Sequence, residues 1–224
     1  MRRRSFLATT SLGAAALAAP GSARAQRAAP SADARDVPRH AQDAWYDALP
    51  GRHRLFVDST TIAEAGTAVG FAWNFLLSSK TGYNLKDADQ GVIVCLRHHS
   101  TVLAFSNDVW RKYDALRTLK YQHPESQKKV KGGNVFRPGS EHPESMSEAY
   151  TLDGLAKRGV HFAICGLATR GMAGRLASTG AGRERVEEIM DELVKSLPAN
   201  SHVMASGILA AQRAGEYGYT VLRG

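Results

Sequence analysis

The sequence predicts an α/β fold: a single domain built on a doubly wound, mostly parallel five-stranded sheet with helices on both faces. Short apolar runs such as residues 91–96 (GVIVCL) lack the alternation of half-exposed strands and are typical of strands buried on both faces. Helical patterns separate these runs, and the clearest is residues 182–197 (GRERVEEIMDELVKSL), which has one apolar stripe. Strands that alternate with helices indicate parallel β-α-β units joined by right-handed crossovers.

Each element follows from a local pattern of apolar residues and of residues that begin or end helices. Ser145, paired with Glu148 in a capping box, predicts the start of a helix that Gly159 ends. Pro198 ends the longest amphipathic pattern. The predicted elements are strand 54–57, helix 63–77, strand 91–96, helix 107–119, helix 145–158, strand 159–165, a short helix 173–176, helix 182–197, strand 202–205, helix 208–217 and strand 219–222.

The N-terminal residues predict an export signal in place of folded structure. Residues 1–25 combine Arg3-Arg4 followed by Ser5-Phe6-Leu7, a mildly apolar stretch and a closing Ala23-Arg24-Ala25. This is the pattern of a twin-arginine signal peptide, and its apolar run is too short to span a bilayer. We therefore expect a periplasmic or exported protein that is not inserted in the membrane after cleavage. Residues 26–50 are expected to be a flexible spacer, and residues 51–224 the folded domain.

The positive charge of the chain is weak support for a nucleic-acid partner. The formal net charge is +8. Half of that excess comes from Arg2, Arg3, Arg4 and Arg24, all within the predicted signal peptide. We expect no nucleic-acid partner.

The two cysteines are predicted to differ in role. Cys165 ends the strand 159–165, where ligands bind in open α/β sheets, and Gly166 follows it at the start of a helical pattern. Backbone N–H groups at that turn and the charge of Arg170 are expected to stabilise a thiolate, the nucleophilic form of cysteine. Cys165 and Arg170 are therefore the candidate catalytic residues. Cys95, within an apolar run, is expected in the core, too deep to form a disulfide with Cys165.

Other candidate ligand-binding residues lie near the same predicted edge. His98 and His99 follow strand 91–96, and they are expected to line a cleft together with Trp110, Gly166 and Cys165. A packed and a solvated histidine are the simpler alternative. We expect no metal site and no cofactor.

A polar, basic excursion at residues 120–142 interrupts the pattern of strands and helices. Its Gly132-Gly133 pair is expected to be a mobile hinge in a solvated loop, and a basic flap over the thiol is the alternative. His-Pro-Glu-Ser occurs twice, at His123–Ser126 and His142–Ser145. Proline-led helix starts explain the repeat better than metal binding, because the spacing matches no known ligand pattern.

The segments 155–160 (LAKRGV), 162–165 (FAIC) and Arg170-Gly171 resemble the DsrE/DsrF-like family of sulfur-trafficking proteins. The resemblance extends loosely from Arg54 to Leu222 in the order of elements. It implies a small α/β domain that forms a homo-oligomer, in which Cys165 carries sulfur as a persulfide. It also implies a sulfur-relay protein partner or an anionic sulfur compound as substrate. Relay members of the family are cytoplasmic, whereas this chain is predicted to be exported.

Three classes of function follow from these observations. The first is an exported sulfur carrier or sulfurtransferase that uses Cys165. The second is a non-catalytic periplasmic module that binds a small ligand, a metal or haem in the cleft at His98 and His99. The third is a structural oligomer in which both thiols are buried.

Overall fold

The structure is a computed structural model that describes residues 38–181 and 185–224. The predicted signal peptide and the first residues of predicted helix 182–197 lie outside these ranges. The strands are β1 (His53–Ser59), β2 (Gln90–Leu96), β3 (Lys120–Gln122), β4 (Lys129–Lys131), β5 (His161–Cys165), β6 (Ser201–Met204) and β7 (Thr220–Arg223). The helices are α1 (Ala44–Ala48), α2 (Ile62–Tyr83), α3 (Asn107–Lys112), α4 (Asp114–Arg117), α5 (Leu152–Lys157), α6 (Gly166–Leu176), α7 (Val186–Lys195) and α8 (Gly207–Glu216).

Five strands form a single parallel sheet, and this confirms the predicted fold class. Their order is β6-β5-β2-β1-β7, and each neighbouring pair is parallel. In the register of the central strands, Val57 lies opposite Val94, and Val94 lies opposite Phe162. All seven residues of β2 are buried, as expected for a strand covered on both faces.

Helices cover both faces of the sheet because the direction in which successive strands are added across the sheet reverses once. The chain steps from β1 to β2, β5 and β6 in one direction, and these right-handed crossovers place α2, α5, α6 and α7 on one face. The return from β6 to β7 places α8 on the other face, where it packs with α1. The larger core cluster therefore lies under α2 to α7, and the smaller one under α1 and α8.

The longest helix, α2, begins at a capping box that the sequence analysis did not single out. The backbone N–H of Glu64 donates to Thr61 Oγ1 at 3.1 Å, and the N–H of Thr61 donates to Glu64 Oε2 at 3.1 Å. The helix ends at Asn84, whose φ of 54° breaks the helical path. No helix in the described ranges has the length and apolarity that a bilayer crossing requires.

Two predicted helices differ from the observed ones. The helix expected from Ser145 begins only at Leu152, where Thr151 Oγ1 accepts a hydrogen bond from the Gly154 N–H at 3.0 Å. Ser145 instead donates to the His142 carbonyl at 2.6 Å within a local turn, so its hydroxyl does not cap a helix. The pattern 107–119 forms two short helices, because Tyr113 has extended dihedral angles.

The second half of the predicted spacer 26–50 is folded. Residues 38–224 form one compact unit, and Tyr46 of α1 is fully buried. Tyr46 Oη donates to the Ala210 carbonyl at 3.0 Å. Arg213 of α8, itself buried, donates from Nε to Asp43 Oδ2 at 2.7 Å. A helix of only five residues leaves no helical repeat in the sequence, so the sequence did not predict this packing.

Parts of the excursion 120–142 pack against the core, whereas the solvated loop that the sequence predicts is confined to its exposed residues, among them 125–129. Strands β3 and β4 form an antiparallel hairpin in which Tyr121 and Val130 are buried. The fully buried Asn134 donates from Nδ2 to the carbonyls of Leu103 and Phe105 at 2.8 and 2.9 Å. Basic side chains alternate with these buried residues, so the composition concealed a strand pattern.

Candidate functional site

Cys165 is the last residue of β5 and the residue before the first turn of α6. It is a free cysteine with 7% of its surface exposed. The eleven residues of α6 direct the positive end of the helix dipole towards this position, where it favours a negative charge. Cys165 lies at the carboxyl edge of the sheet, as the sequence predicts.

Gly166 allows helix α6 to begin close to the neighbouring strand. A Cβ atom at this position would lie 2.7 Å from the Met204 carbonyl oxygen and 3.4 Å from Val203 Cγ1. Such a contact with backbone is too short, so a larger residue would push the start of α6 away from β6. Gly166 was a predicted ligand-binding residue, and the structure gives it a packing role beside Cys165.

A bidentate ion pair lies beside Cys165 at the same edge. Arg97 donates from Nε to Asp58 Oδ1 at 2.8 Å and from Nη2 to Asp58 Oδ2 at 2.7 Å. In the register of β2 and β5, the last paired residues are Leu96 and Ile164. Arg97 and Cys165 are the residues that follow this pair. The pKa of Arg97 is raised, chiefly by its hydrogen bond to Asp58 and further by the charge of Asp58.

The start of α8 covers this ion pair, and Gly207 makes the close approach possible. A Cβ atom on Gly207 would lie 2.4 to 3.0 Å from three carbons of the Arg97 side chain. Any larger residue here would displace either the helix or the arginine. The aliphatic part of Arg97 is therefore held against the Gly207 backbone, and Asp58 fixes its guanidinium.

Cys95 is a core residue, as the sequence predicts. It is fully buried in the smaller cluster, and its Sγ lies 3.8 Å from the Gly207 carbonyl oxygen. Burial and, secondarily, the charge of Asp58 raise the pKa of the Cys95 thiol well above its usual range. The Cys95 thiol is therefore protonated and unreactive near neutral pH.

Arg170 does not supply the positive charge beside Cys165. It is exposed, and its Nη1 and Nη2 lie 2.6 and 3.2 Å from the two carboxylate oxygens of Glu187 on α7. Five residues of helix rotate Arg170 to the outer side of α6, towards α7. The basic residue that lies next to Cys165 in the sheet is Arg97, which the sequence did not single out.

His98 and His99 lie where expected, at the carboxyl end of β2, next to β5. Both are exposed, and their rings form an edge-on pair with centroids 4.1 Å apart. His98 has a φ of 57°, a backbone conformation that few residues other than glycine adopt, and the chain turns there. The two imidazoles border a small depression of about 140 Å³ whose other walls are Leu167, Ala168, Gly171 and Arg175.

Trp110 does not line a cleft with Cys165. It is 1% exposed in the larger core cluster, and its Nε1 donates to the Val102 carbonyl at 3.1 Å. Cys165 follows Ala163 by two residues, and Ala163 belongs to the cluster on the opposite face. The sheet therefore separates Trp110 from the thiol. Sequence position alone could not assign faces to α3 and β5.

Both His-Pro-Glu-Ser segments form local turns. His123 Nδ1 accepts from the backbone N–H of Glu125 at 3.2 Å, and His142 Nδ1 accepts from the N–H of Glu144 at 3.1 Å. The second segment also joins the first, because Ser126 Oγ lies 3.2 Å from Glu144 Oε2. Within the described ranges no group of three or more histidine, cysteine or carboxylate side chains converges on a point that could hold a metal ion.

The structure also shows groupings that the sequence analysis missed. Asp58 interrupts an apolar strand just before the carboxyl edge, and this polar residue was the available signal for the ion pair. At the amino end of the sheet, His161 and His202 form a hydrogen-bonded pair on which Trp45 stacks. No sequence signal joins these three residues, since they come from distant segments of the chain.

Comparison of the chain with protein-family models, with curated proteins and with solved structures found no match.

Proposed function

We propose that this chain is an exported sulfur carrier or sulfurtransferase in which Cys165 accepts a sulfur atom and holds it as a persulfide. The observation that supports the proposal is the position of Cys165, which precedes the first turn of α6 and lies next to Arg97 at the carboxyl ends of the paired strands β5 and β2. Both features stabilise an anion at this sulfur. A thiolate and a persulfide are both anions, so the same surroundings favour the reactant and the product.

Arg97 is also suited to bind an anionic sulfur donor. Its two hydrogen bonds to Asp58 use Nε and Nη2 and fix the plane of the guanidinium. Among the described residues, Nη1 has no hydrogen-bond acceptor, and the side chain is 24% exposed. An incoming oxyanion can therefore meet Nη1 without displacing Asp58.

The reaction with thiosulfate balances without an external oxidant. The Cys165 thiolate attacks the outer sulfur of thiosulfate, and a new S–S bond forms at Cys165. The S–S bond of thiosulfate breaks, and sulfite leaves with its electron pair. An acceptor thiolate then attacks the outer sulfur of the persulfide, takes that sulfur, and releases the Cys165 thiolate.

The predicted homo-oligomer is part of this proposal. Three exposed apolar side chains lie at the sheet edge that carries Cys165: Leu167 at 68% exposure, Ile208 at 63% and Val203 at 42%. We propose that a second copy of the chain covers them. Analytical ultracentrifugation should show that the unmodified protein is a dimer or a larger oligomer and that Ile208→Glu dissociates it. If the unmodified protein is a monomer, the proposed oligomer is wrong.

Mass measurement after incubation with thiosulfate tests the sulfur-carrier proposal. The mature protein should gain about 32 Da, and peptide mapping should place the added sulfur on Cys165. Cys165→Ser should abolish the gain, whereas Cys95→Ala should retain it. Arg97→Lys should weaken the reaction with thiosulfate more than the reaction with an uncharged trisulfide. A folded protein that gains no sulfur from thiosulfate or from polysulfide would refute the proposal.

A further inference from the structure

A second cavity, of about 640 Å³, lies on the sheet face opposite to Cys165. Its volume is in the range of small-molecule binding sites, roughly 300 to 1,000 Å³. Apolar side chains from four segments form most of its wall: Ile62, Val102, Leu116, Leu119, Met172 and Leu176. An apolar ligand in this cavity removes the apolar side chains from contact with water, and this is energetically favourable.

Two basic side chains stand at one end of this cavity. His99 and Arg175 line it, and the same two residues line the smaller depression beside His98. The two hollows therefore meet at His99 and Arg175. The imidazole and the guanidinium form the polar end of a cavity that is otherwise mostly apolar.

Arg175 differs from the neighbouring arginines in its contacts. Arg170 pairs with Glu187, and Arg137 pairs with Asp153 at 2.7 Å. Within residues 38–181 and 185–224, no carboxylate pairs with Arg175, and its Nη2 contacts Met172 Sδ at 3.8 Å. No described residue that lines the cavity is acidic. An anion at this end therefore meets a guanidinium without a competing carboxylate in the cavity wall.

We propose that this cavity binds a small amphipathic organic anion, an aliphatic monocarboxylate, with its carboxylate at Arg175 and His99 and its hydrocarbon chain between α4 and α6. An aliphatic chain matches the cavity wall, and a carboxylate matches the planar donors of arginine. The site is independent of the sulfur chemistry, because Cys165 does not line it and lies on the other face of the sheet.

Calorimetric titration of the Cys165→Ser protein with hexanoate, octanoate and decanoate tests the site separately from sulfur transfer. Each added methylene should strengthen binding about fourfold, as burial of that group predicts. Decanoate should bind more tightly than 1-decanol, because only the carboxylate pairs with Arg175. Failure of sulfur transfer would leave these results unchanged.

Three variants identify the binding position. Arg175→Met should remove the preference for decanoate over decanol while decanol still binds. Ala115→Phe, a change at an exposed helix position that lines the cavity, should weaken both ligands at least tenfold. Arg117→Met, on the same helix but outside the cavity, is the matched control and should change neither. Absence of decanoate binding, absence of the chain-length effect, or binding that survives both Arg175→Met and Ala115→Phe would overturn the proposal.

Discussion

His161 Nδ1 and His202 Nε2 lie 2.9 Å apart and share one hydrogen bond across the neighbouring strands β5 and β6. Both side chains are half-buried, and the Trp45 ring of α1 stacks on His202 with ring centroids 3.9 Å apart. A neutral pair satisfies this geometry, because one imidazole donates and the other accepts. Two protonated rings would place two donors and two charges against each other under an apolar ring.

We expect the histidine pair to make the free energy of unfolding depend on pH. Burial and, secondarily, the neighbouring His161 lower the pKa of His202 to about 4, and burial also lowers the pKa of His161. In the unfolded chain a histidine titrates near ~6.5. Between about pH 6.5 and 4 the unfolded state therefore binds more protons, so the free energy of unfolding falls as the pH falls and is fully retained above that window.

Urea unfolding at pH 7 and pH 5 measures this effect. His202→Gln should reduce the difference in midpoint between the two pH values, because it removes the group with the lowered pKa. His53→Gln, at an exposed position on β1, serves as the control and should leave the difference unchanged. If the midpoint of His202→Gln changes with pH as much as that of the unmodified protein, the pair of His161 and His202 does not cause the pH dependence.

Leu193 anchors α7 to the core. It is fully buried, and Ile189 one turn earlier is 1% exposed. Leu193→Ala should lower the free energy of unfolding by about 2 to 5 kcal/mol, since the truncation leaves a cavity in the larger core cluster. Asp191→Ala, at an exposed position of the same helix, should change it by less than about 0.5 kcal/mol. Denaturant unfolding compares the two, and similar values would place Leu193 outside the core.

Export depends on the paired arginines near the N-terminus if the twin-arginine prediction holds. Replacing both Arg3 and Arg4 by lysine should leave the precursor in the cytoplasm, because that pathway recognises the arginine pair. Fractionation followed by immunoblotting measures the distribution. As the matched control, replacement of Arg2 and Arg24 by lysine should allow export. Unimpaired export of the variant with lysine at positions 3 and 4 would indicate the general secretory route instead.

Local composition was enough to predict the main elements of this fold. The apolar run 91–96 corresponds to β2, and the amphipathic pattern 182–197 contains α7, since a buried strand and a one-faced helix each leave a repeat in the sequence. The alternation of these elements also predicted the parallel sheet. The same reasoning placed Cys165 at the carboxyl edge, because a strand that precedes a helix in such a sheet ends there.

Only the tertiary structure decided which side chains meet at that edge. Arg170 is five residues from Cys165 in sequence, but the helix turns it towards Glu187. Arg97 is 68 positions from Cys165 in sequence but lies next to it in the sheet, because β2 and β5 are neighbours in register. The sequence by itself determines the periodic pattern of apolar residues within each helix and strand, because that pattern depends only on residues close together in the chain. Sheet order, the choice of face and the close approach at Gly207 arise from contacts between distant segments, and these contacts bring Arg97 next to Cys165.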